Sequence, residues 1–487
     1  MSDRVDEVLL QRRKVFWDQQ EPSLQAMIQT VSSDGLADDD ADEIMAYLPD
    51  LTGKRVVDLA AGIGRFTTRM AKVARHVTAV DVAQAFIMEN RVANQHLGNI
   101  SFICDDVVNL DFPAGSLDLV FSNWLLKYLS DAEITHFLTR ALKWLSPGGF
   151  IFFRESCYGL LGTEELNGNP TMYRSSRYYC DKLTALPAED DESAFTLVRV
   201  KNILAYINYQ NAPNQVCFLA KKVSGGDGIP QEPQKQQCRL SPLNAAALQK
   251  VFKGPCVTVG GDVSTRDFCA RLGLGPGQRV LDVGCGMGGS ATFMARHYGV
   301  HVHGVDLSSD MIHEAIERQV QVDEEVRKKL HFEMSPDLAV DCDINTYDVI
   351  HSRETCHNVS EKQHLFDKLL RCVKPGGTVF ITDYCLGSSP PSQPFLAHTH
   401  DIAPCYLETV DSYSEKMRMA GFKGVVAKDL SQELIKALQD ELSILVTTCG
   451  DTDEDKMNHS QVTALWNSKL QWVKDGYLTW SSFMLTK

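Results

Sequence analysis

Val56-Val57-Asp58-Leu59-Ala60-Ala61-Gly62-Ile63-Gly64-Arg65 is written a second time, in altered form, as Val280-Leu281-Asp282-Val283-Gly284-Cys285-Gly286-Met287-Gly288-Gly289. In each copy a short apolar run reaches an acid and then a glycine turn, and the two acids are 282 − 58 = 224 residues apart. Working outward, Val77-Thr78-Ala79-Val80-Asp81 is matched by Val302-His303-Gly304-Val305-Asp306 at an offset of 306 − 81 = 225. Leu117-Asp118-Leu119-Val120-Phe121-Ser122 is matched by Tyr347-Asp348-Val349-Ile350-His351-Ser352. Pro147-Gly148-Gly149 and Cys157 are matched by Pro375-Gly376-Gly377 and Cys385, both at offset 228. Four landmarks in one order at a nearly constant offset describe a duplicated domain.

Within each copy, short apolar runs alternate with helical periodicity. In the first, strands are predicted at Arg55–Leu59, Val77–Val80, Ile100–Ile103, Leu117–Phe121 and Phe150–Arg154, with helices at Arg65–Val73, Ala83–Asn94 and Asp131–Leu145. Strand, glycine turn, helix and strand in repetition is an α/β pattern, a doubly wound, mostly parallel sheet of the Rossmann-like kind. The boundaries follow: a first domain over residues 1–224, a Gly/Pro/Gln-rich linker over 225–237, and a second domain over 238–487. The run Glu189-Asp190-Asp191-Glu192 reads as a solvated loop.

The chain has 487 residues, and Lys+Arg 48 minus Asp+Glu 63 gives a net charge of −15. An acidic surface repels phosphate backbones and anionic lipid, which makes nucleic acid and membrane poor partners but permits a small phosphorylated substrate in one basic pocket. No stretch approaches the roughly 20 apolar residues of a membrane span, and Met1–Asp6 lacks a signal-peptide core. Fourteen cysteines are scattered without a CxxC pair, so they are expected to be thiols in a cytoplasmic, monomeric protein.

Ligands of such sheets lie beyond the carboxyl ends of the strands. The form D-x-x-x-G-x-G spans Asp58, Gly62 and Gly64, and the glycines admit close approach of backbone to ligand. Asp81, 17 residues beyond Gly64, stands where a carboxylate can take both hydroxyls of a ribose. Asp106, past the third strand, could accept from an adenine amino group, and Asn123 follows the fourth strand. With no G-x-x-x-x-G-K-[ST] present, this set suits S-adenosylmethionine. The second copy keeps Asp282, Gly284, Gly286 and Asp306, whereas Met334-Ser335-Pro336-Asp337 puts a proline where the adenine acid is expected. His398, His400 and Asp401 come with no further ligands at recognisable spacing, so no metal site is expected.

Ser122-Asn123-Trp124-Leu125-Leu126-Lys127-Tyr128-Leu129-Ser130-Asp131, Phe153-Arg154-Glu155-Ser156-Cys157, Asn169-Pro170-Thr171-Met172-Tyr173-Arg174 and the early Phe16-Trp17-Asp18 resemble tandem-domain phosphoethanolamine N-methyltransferases, over essentially the whole chain. The resemblance implies two class I methyltransferase domains that use S-adenosylmethionine, the first making the first methyl transfer to phosphoethanolamine and the second the two later ones. A phosphomonoester dianion needs cationic and hydroxyl donors, which Tyr173, Arg174 and Tyr178, with Arg177 beside them, would supply. Tyr128 is the candidate to orient the amine, and the face of Trp124 to hold a cationic headgroup. The sequence does not decide whether the first domain closes over substrate; with no other lid-like insertion, Phe16–Thr30 is the candidate segment.

The second domain departs from this pattern. Family domains of that type read Ser-Arg-Asp and, after three residues, His; here Ser352-Arg353-Glu354-Thr355-Cys356-His357-Asn358 stands. One residue along a helix turns a side chain by about 100°, so His357 is no direct substitute for His at 358. The partner Tyr is replaced by Leu240 or another residue, and Asp401-Ile402-Ala403-Pro404-Cys405-Tyr406 contains no Arg. The expected result is a nucleoside pocket with an eroded substrate site; activity in both domains and a nucleoside-sensing second domain are the alternatives. A sterol or fatty acyl acceptor is disfavoured by the Tyr/Arg-rich segment.

Overall fold

A computed structural model describes residues 11–28, 35–157, 169–186, 193–224, 258–335, 338, 344–402, 405–447 and 453–487. The chain divides into two compact units, Met1–Gln231 and Glu232–Lys487. The expected linker, the acidic run at 189–192, Leu240 and Asp337 lie outside the described residues.

In unit 1 the strands are β1 (Arg55–Leu59), β2 (His76–Asp81), β3 (Ile100–Cys104), β4 (Leu117–Asn123), β5 (Leu145–Ser156), β6 (Ser193–Asn202) and β7 (Gln215–Ser224). They run in the order β3-β2-β1-β4-β5-β7-β6. Pairing is parallel from β3 to β5, while β7 is antiparallel to both β5 and β6. Unit 2 repeats the plan with β8 (Arg279–Val283), β9 (His301–Asp306), β10 (Leu330–Met334), β11 (Tyr347–Arg353), β12 (Val373–Leu386), β13 (Lys423–Asp429) and β14 (Leu478–Thr486), in the order β10-β9-β8-β11-β12-β14-β13. The α/β, doubly wound, mostly parallel reading holds for both units.

The central strands are apolar runs because helices cover both faces of a parallel sheet. Leu119, Val120 and Phe121 of β4 are fully buried, and Phe121 stacks on Phe152 of β5 at 5.0 Å. The helix Asp131–Trp144 shows how the sequence encodes such a cover. Ile134, Phe137, Leu138, Ala141 and Leu142 recur at helical spacing and are buried, and Ser130 with Glu133 closes a capping box at the N-terminus.

The glycine turn after β1 gives only a short helix, Thr67–Ala71, in place of the longer one expected. Unit 2 differs from unit 1 between its last two strands. Where unit 1 has the helix Leu204–Gln210, unit 2 inserts Ser431–Thr447 and Asp453–Lys474. The expectation that all cysteines are thiols fails at Cys372, which is disulfide-bonded. Among the described residues no helix is long and apolar enough to cross a membrane.

Gly64 has a left-handed φ of 92°, and a Cβ there would run into the side-chain amides of Asn90 and Asn94. Gly53 is also left-handed, at 71°, but nothing lies within 4 Å of its Cβ position. Gly64→Ala therefore destabilises unit 1 by about 1–3 kcal/mol more than Gly53→Ala, which incurs backbone strain alone. Thermal and denaturant melts of the two variants measure the difference.

Candidate active site

The carboxyl ends of β1, β2, β3 and β4 open onto one pocket of about 790 Å³ in unit 1. Its floor is the turn after β1. Asp81, at the end of β2, accepts the Gly62 N–H at 2.8 Å on one oxygen and the Ala83 N–H at 2.9 Å on the other. The carboxylate thus closes the glycine turn and still offers both oxygens toward the pocket. Burial pushes Asp81 up to about 6, against the lowering effect of these N–H donors, so at neutral pH it is mostly an ionised carboxylate. Asp58 stands behind the turn rather than in the pocket, fully buried and accepting from Thr67 Oγ1 at 2.5 Å.

Asp106 lines the pocket, but both of its oxygens are engaged by Arg13 from the helix at residues 11–18, Nη2 at 3.0 Å and Nε at 3.1 Å. Arg13 also donates to Glu133 at 3.0 Å and to the Tyr128 carbonyl at 3.3 Å. The same helix lays Trp17 edge-on against Tyr128 at 5.8 Å and against Phe86 at 5.5 Å, and Met27 completes this side. Phe16–Ile28 therefore covers the pocket, while Gln29 and Thr30 lie outside the described residues.

The opposite wall is Asn123-Trp124-Leu125 and Lys127-Tyr128-Leu129. Trp124 carries a left-handed φ of 59°, a strained state for a bulky residue. Two interactions hold it there. Its indole N–H donates to Gln215 at 2.8 Å, and the Arg154 guanidinium lies 3.5 Å from the ring centroid. Arg154 is itself fully buried, paired with Asp40 at 3.2 Å and donating to Asn123 at 2.5 Å. Lys127, 6% exposed, sets its Nζ 5.5 Å from the Trp124 ring and 5.3 Å from the Tyr128 ring. Sequence reasoning passed over Arg13, Arg154 and Lys127. Lys127 alone carried a signal, a cation set among apolar residues in Trp-Leu-Leu-Lys-Tyr-Leu.

Tyr173, Arg174, Arg177 and Tyr178 do not line this pocket. They sit on a segment docked against the Lys127 loop: Met172 N–H donates to the Lys127 carbonyl at 2.7 Å. Arg174 donates to the carbonyls of Leu126 at 3.2 Å and Leu129 at 2.7 Å, and to Asp131 at 2.8 Å. Tyr178 lies beneath Arg174 with the ring centroid 5.1 Å away, and Tyr173 is exposed.

In unit 2 the same turn is closed in the same way, Asp306 accepting from Gly286 at 2.8 Å and from Ser308 at 3.0 Å. The acid behind it, Asp282, is bonded to His351 Nδ1 at 2.7 Å rather than to a hydroxyl. Gly284 is left-handed, and a Cβ there would meet Thr355. His357 is buried and turned inward. Its Nδ1 is 2.6 Å from Asp383, which also accepts from Tyr413 at 2.7 Å, in a buried internal network. Glu354 occupies the left-handed position of Trp124, with φ 47°, and takes the Trp480 indole N–H at 3.0 Å. Lys469 Nζ donates to the Tyr384 hydroxyl at 3.3 Å and lies 5.0 Å from the Trp466 ring.

Burial holds Asp58 up to about 7, above its ordinary 3.8, with Thr67 lowering it and Asp81 adding a small upward push. The folded state then keeps a proton that the unfolded chain releases between about pH 4 and 7, and this group weakens the fold as pH rises through that window. Asp58→Asn preserves the shape and the bond from Thr67. The unit 1 melting temperature of the variant falls less between pH 5 and 8 than that of the native chain; equal slopes would contradict the assignment.

Family models described as methyltransferase domain match residues 56–149 and 262–427. The chain is 36% identical over 499 residues to phosphoethanolamine N-methyltransferase 1 of Zea mays, covering 100% of this chain and 98% of the relative. It is 35% identical over 481 residues to phosphoethanolamine N-methyltransferase 3 of Arabidopsis thaliana, covering 97% of each. Among solved structures it resembles Haemonchus contortus phosphoethanolamine N-methyltransferase 1, in complex with phosphoethanolamine and S-adenosylhomocysteine, with a TM-score of 0.71 at 22% identity over 99% of this chain and 98% of that one.

Proposed function

The chain belongs to the phosphoethanolamine N-methyltransferases, and from that premise we propose that unit 1 makes the first methyl transfer to phosphoethanolamine. The enzyme is an S-adenosylmethionine-dependent N-methyltransferase acting on phosphoethanolamine, a step toward phosphocholine. The observation that carries the assignment to unit 1 is its pocket, which brings Asp81, Asn123, Trp124, Lys127 and Tyr128 to the ends of β2 and β4.

The residues fit the cofactor in both units. Asp81 and Asp306 are carboxylates whose backbone partners orient both oxygens for a ribose. At Gly286 nothing lies within 4 Å of the Cβ position, and at Gly62 only the flexible Met27 side chain does, so each turn offers backbone to a ligand. S-adenosylmethionine, when bound, supplies a methyl group on a sulfonium sulfur. The chain's own work is positioning. The Arg13 clamp holds the covering helix shut, Trp124 and Tyr128 present aromatic surface to the amine, and exclusion of water from the pocket favours displacement over hydrolysis.

For the phosphate, Tyr173, Arg174, Arg177 and Tyr178 supply donors on the segment docked to the Lys127 loop. Most of the hydrogen bonds of Arg174 go to neutral carbonyls, and its acidic partner Asp131 is 65% exposed, so its charge is only weakly compensated toward an arriving dianion. Asp106 is read as the adenine acceptor, with Arg13 fixing its orientation. The protein acts as a cytosolic monomer.

Unit 2 is read as a cofactor-binding unit with a weakened phosphobase site, because His357 is committed to Asp383 and Asn358 stands at the expected His position. One observation favours the alternative of two active units: Lys469, beside Tyr384, keeps a cation and a phenol together.

Given labelled S-adenosylmethionine and phosphoethanolamine, the full chain yields the monomethyl product by mass spectrometry. Asp81→Ala reduces this by about 10²-fold or more, while Asp306→Ala leaves the first step intact. The reverse pattern would move the first transfer to unit 2, and phosphocholine formed from the monomethyl substrate by the Asp81→Ala chain would establish unit 2 as active.

A further inference from the structure

Methylation needs a free amine, because an ammonium has no lone pair, and phosphoethanolamine is an ammonium at neutral pH. The pocket must therefore hold a proton acceptor. Six titratable side chains line it. Both oxygens of Asp81 support the glycine turn and the ribose position. Asp106 and Arg13 neutralise each other. Asp105 is exposed and accepts from the Asp106 N–H and from Asn109. Tyr128 is a phenol, ordinarily protonated well above neutral pH. Lys127 is left.

We propose that Lys127 is the general base of unit 1, its neutral amine taking the proton from the phosphoethanolamine ammonium between the Trp124 and Tyr128 rings. The assignment rests on unit 1 being the phosphoethanolamine-methylating unit. Nζ lies where the aromatic faces would receive a substrate amine, 5.5 and 5.3 Å from their centroids. The carboxylate that attracts it is Glu155, whose two oxygens accept backbone N–H groups. Its backbone is held from β5, where Glu155 accepts the N–H groups of Leu126 at 2.6 Å and Lys127 at 3.3 Å.

The charged groups facing this lysine are Glu155 and Arg154 from β5. Arg13 from the covering helix and Arg174 from the docked segment reach the carbonyls of its loop, each with its own acidic partner. Burial lowers the Lys127 pKa; Glu155 raises it, and Arg154 lowers it further. Burial raises the Glu155 pKa in turn. A lysine lowered toward neutrality is a workable base. The step balances: an N–H proton passes from substrate to Nζ, and the freed lone pair forms the N–C bond. The S–C bond breaks with its electrons remaining on sulfur, and the Lys127 ammonium then returns its proton to Glu155 or to water.

The test compares Lys127→Met and Lys127→Arg in the full chain, each checked for a native melting temperature. Arginine keeps the charge and cannot act as a base. The expected result is a kcat for monomethyl formation lower by about 10²–10⁴-fold in both variants, with KM for phosphoethanolamine little changed. A rise of kcat with pH is expected for the native enzyme and its loss in both variants, with added methylamine partly restoring Lys127→Met. Independently of turnover, ¹³Cε NMR of lysine-labelled native chain shows one resonance, absent in Lys127→Arg, that titrates below the others. Native-like kcat in Lys127→Arg, or a Lys127 resonance titrating with the exposed lysines, overturns the proposal. No turnover by the native chain would instead overturn the reading of unit 1.

Discussion

Everything at the carboxyl end of the sheet depends on one hydrogen bond made twice, from the N–H of the third residue after a strand to the acid ending the next strand. In unit 1 it joins Gly62 to Asp81, and in unit 2 Gly286 to Asp306, both at 2.8 Å. It ties β1 to β2, and β8 to β9, where the strands stop hydrogen-bonding to each other. The cost is burial of a carboxylate, seen as an upward shift to about 6 in both acids. Two backbone N–H donors per carboxylate offset that cost, and the crevice beside it becomes a preformed acceptor site.

The same frame carries different chemistry in the two units. Asp58 rests on a threonine hydroxyl, whereas Asp282 rests on a buried histidine. Ala60 in unit 1 and Gly284 in unit 2 share a left-handed backbone, at φ 55° and 76°, but Thr355 occupies the space a Cβ of Gly284 would need. Position 124 holds an indole facing the pocket, and position 354 a glutamate bonded to Trp480. Backbone geometry is shared by the two units where it makes the turn, and side chains differ behind the turn and just past β4 and β11.

The fold was legible because it rests on local periodicity and on a repeat that the sequence states twice. Asp81 and Asp306 were legible too, since a fixed spacing from a glycine turn leaves little freedom in where the acid lies. Arg13 was not: its partners Asp106 and Glu133 are 93 and 120 residues away, and no local pattern announces such a contact. Arg174 was legible by its charge, but its part in fastening the loop was not. Its charge suggested a ligand, whereas its many donors also make it the bracket that fastens one segment to the 126–129 loop. Long-range clamps of this kind are invisible to spacing arguments because only the finished fold brings their ends together.

Trp124 shows what those hidden clamps accomplish. One face of the indole lies against a buried guanidinium at 3.5 Å, and a ring already engaged by one cation has a single face left for another. The Asp40–Arg154 pair beneath it is fully buried, an arrangement whose electrostatic gain is largely cancelled by desolvation. Its worth is therefore geometric. It holds a tryptophan in a left-handed conformation and aims the free face, with Lys127 beside it, into the pocket. The strained residue, the buried ion pair and the aromatic wall form one device, and it opens to the pocket on one side only.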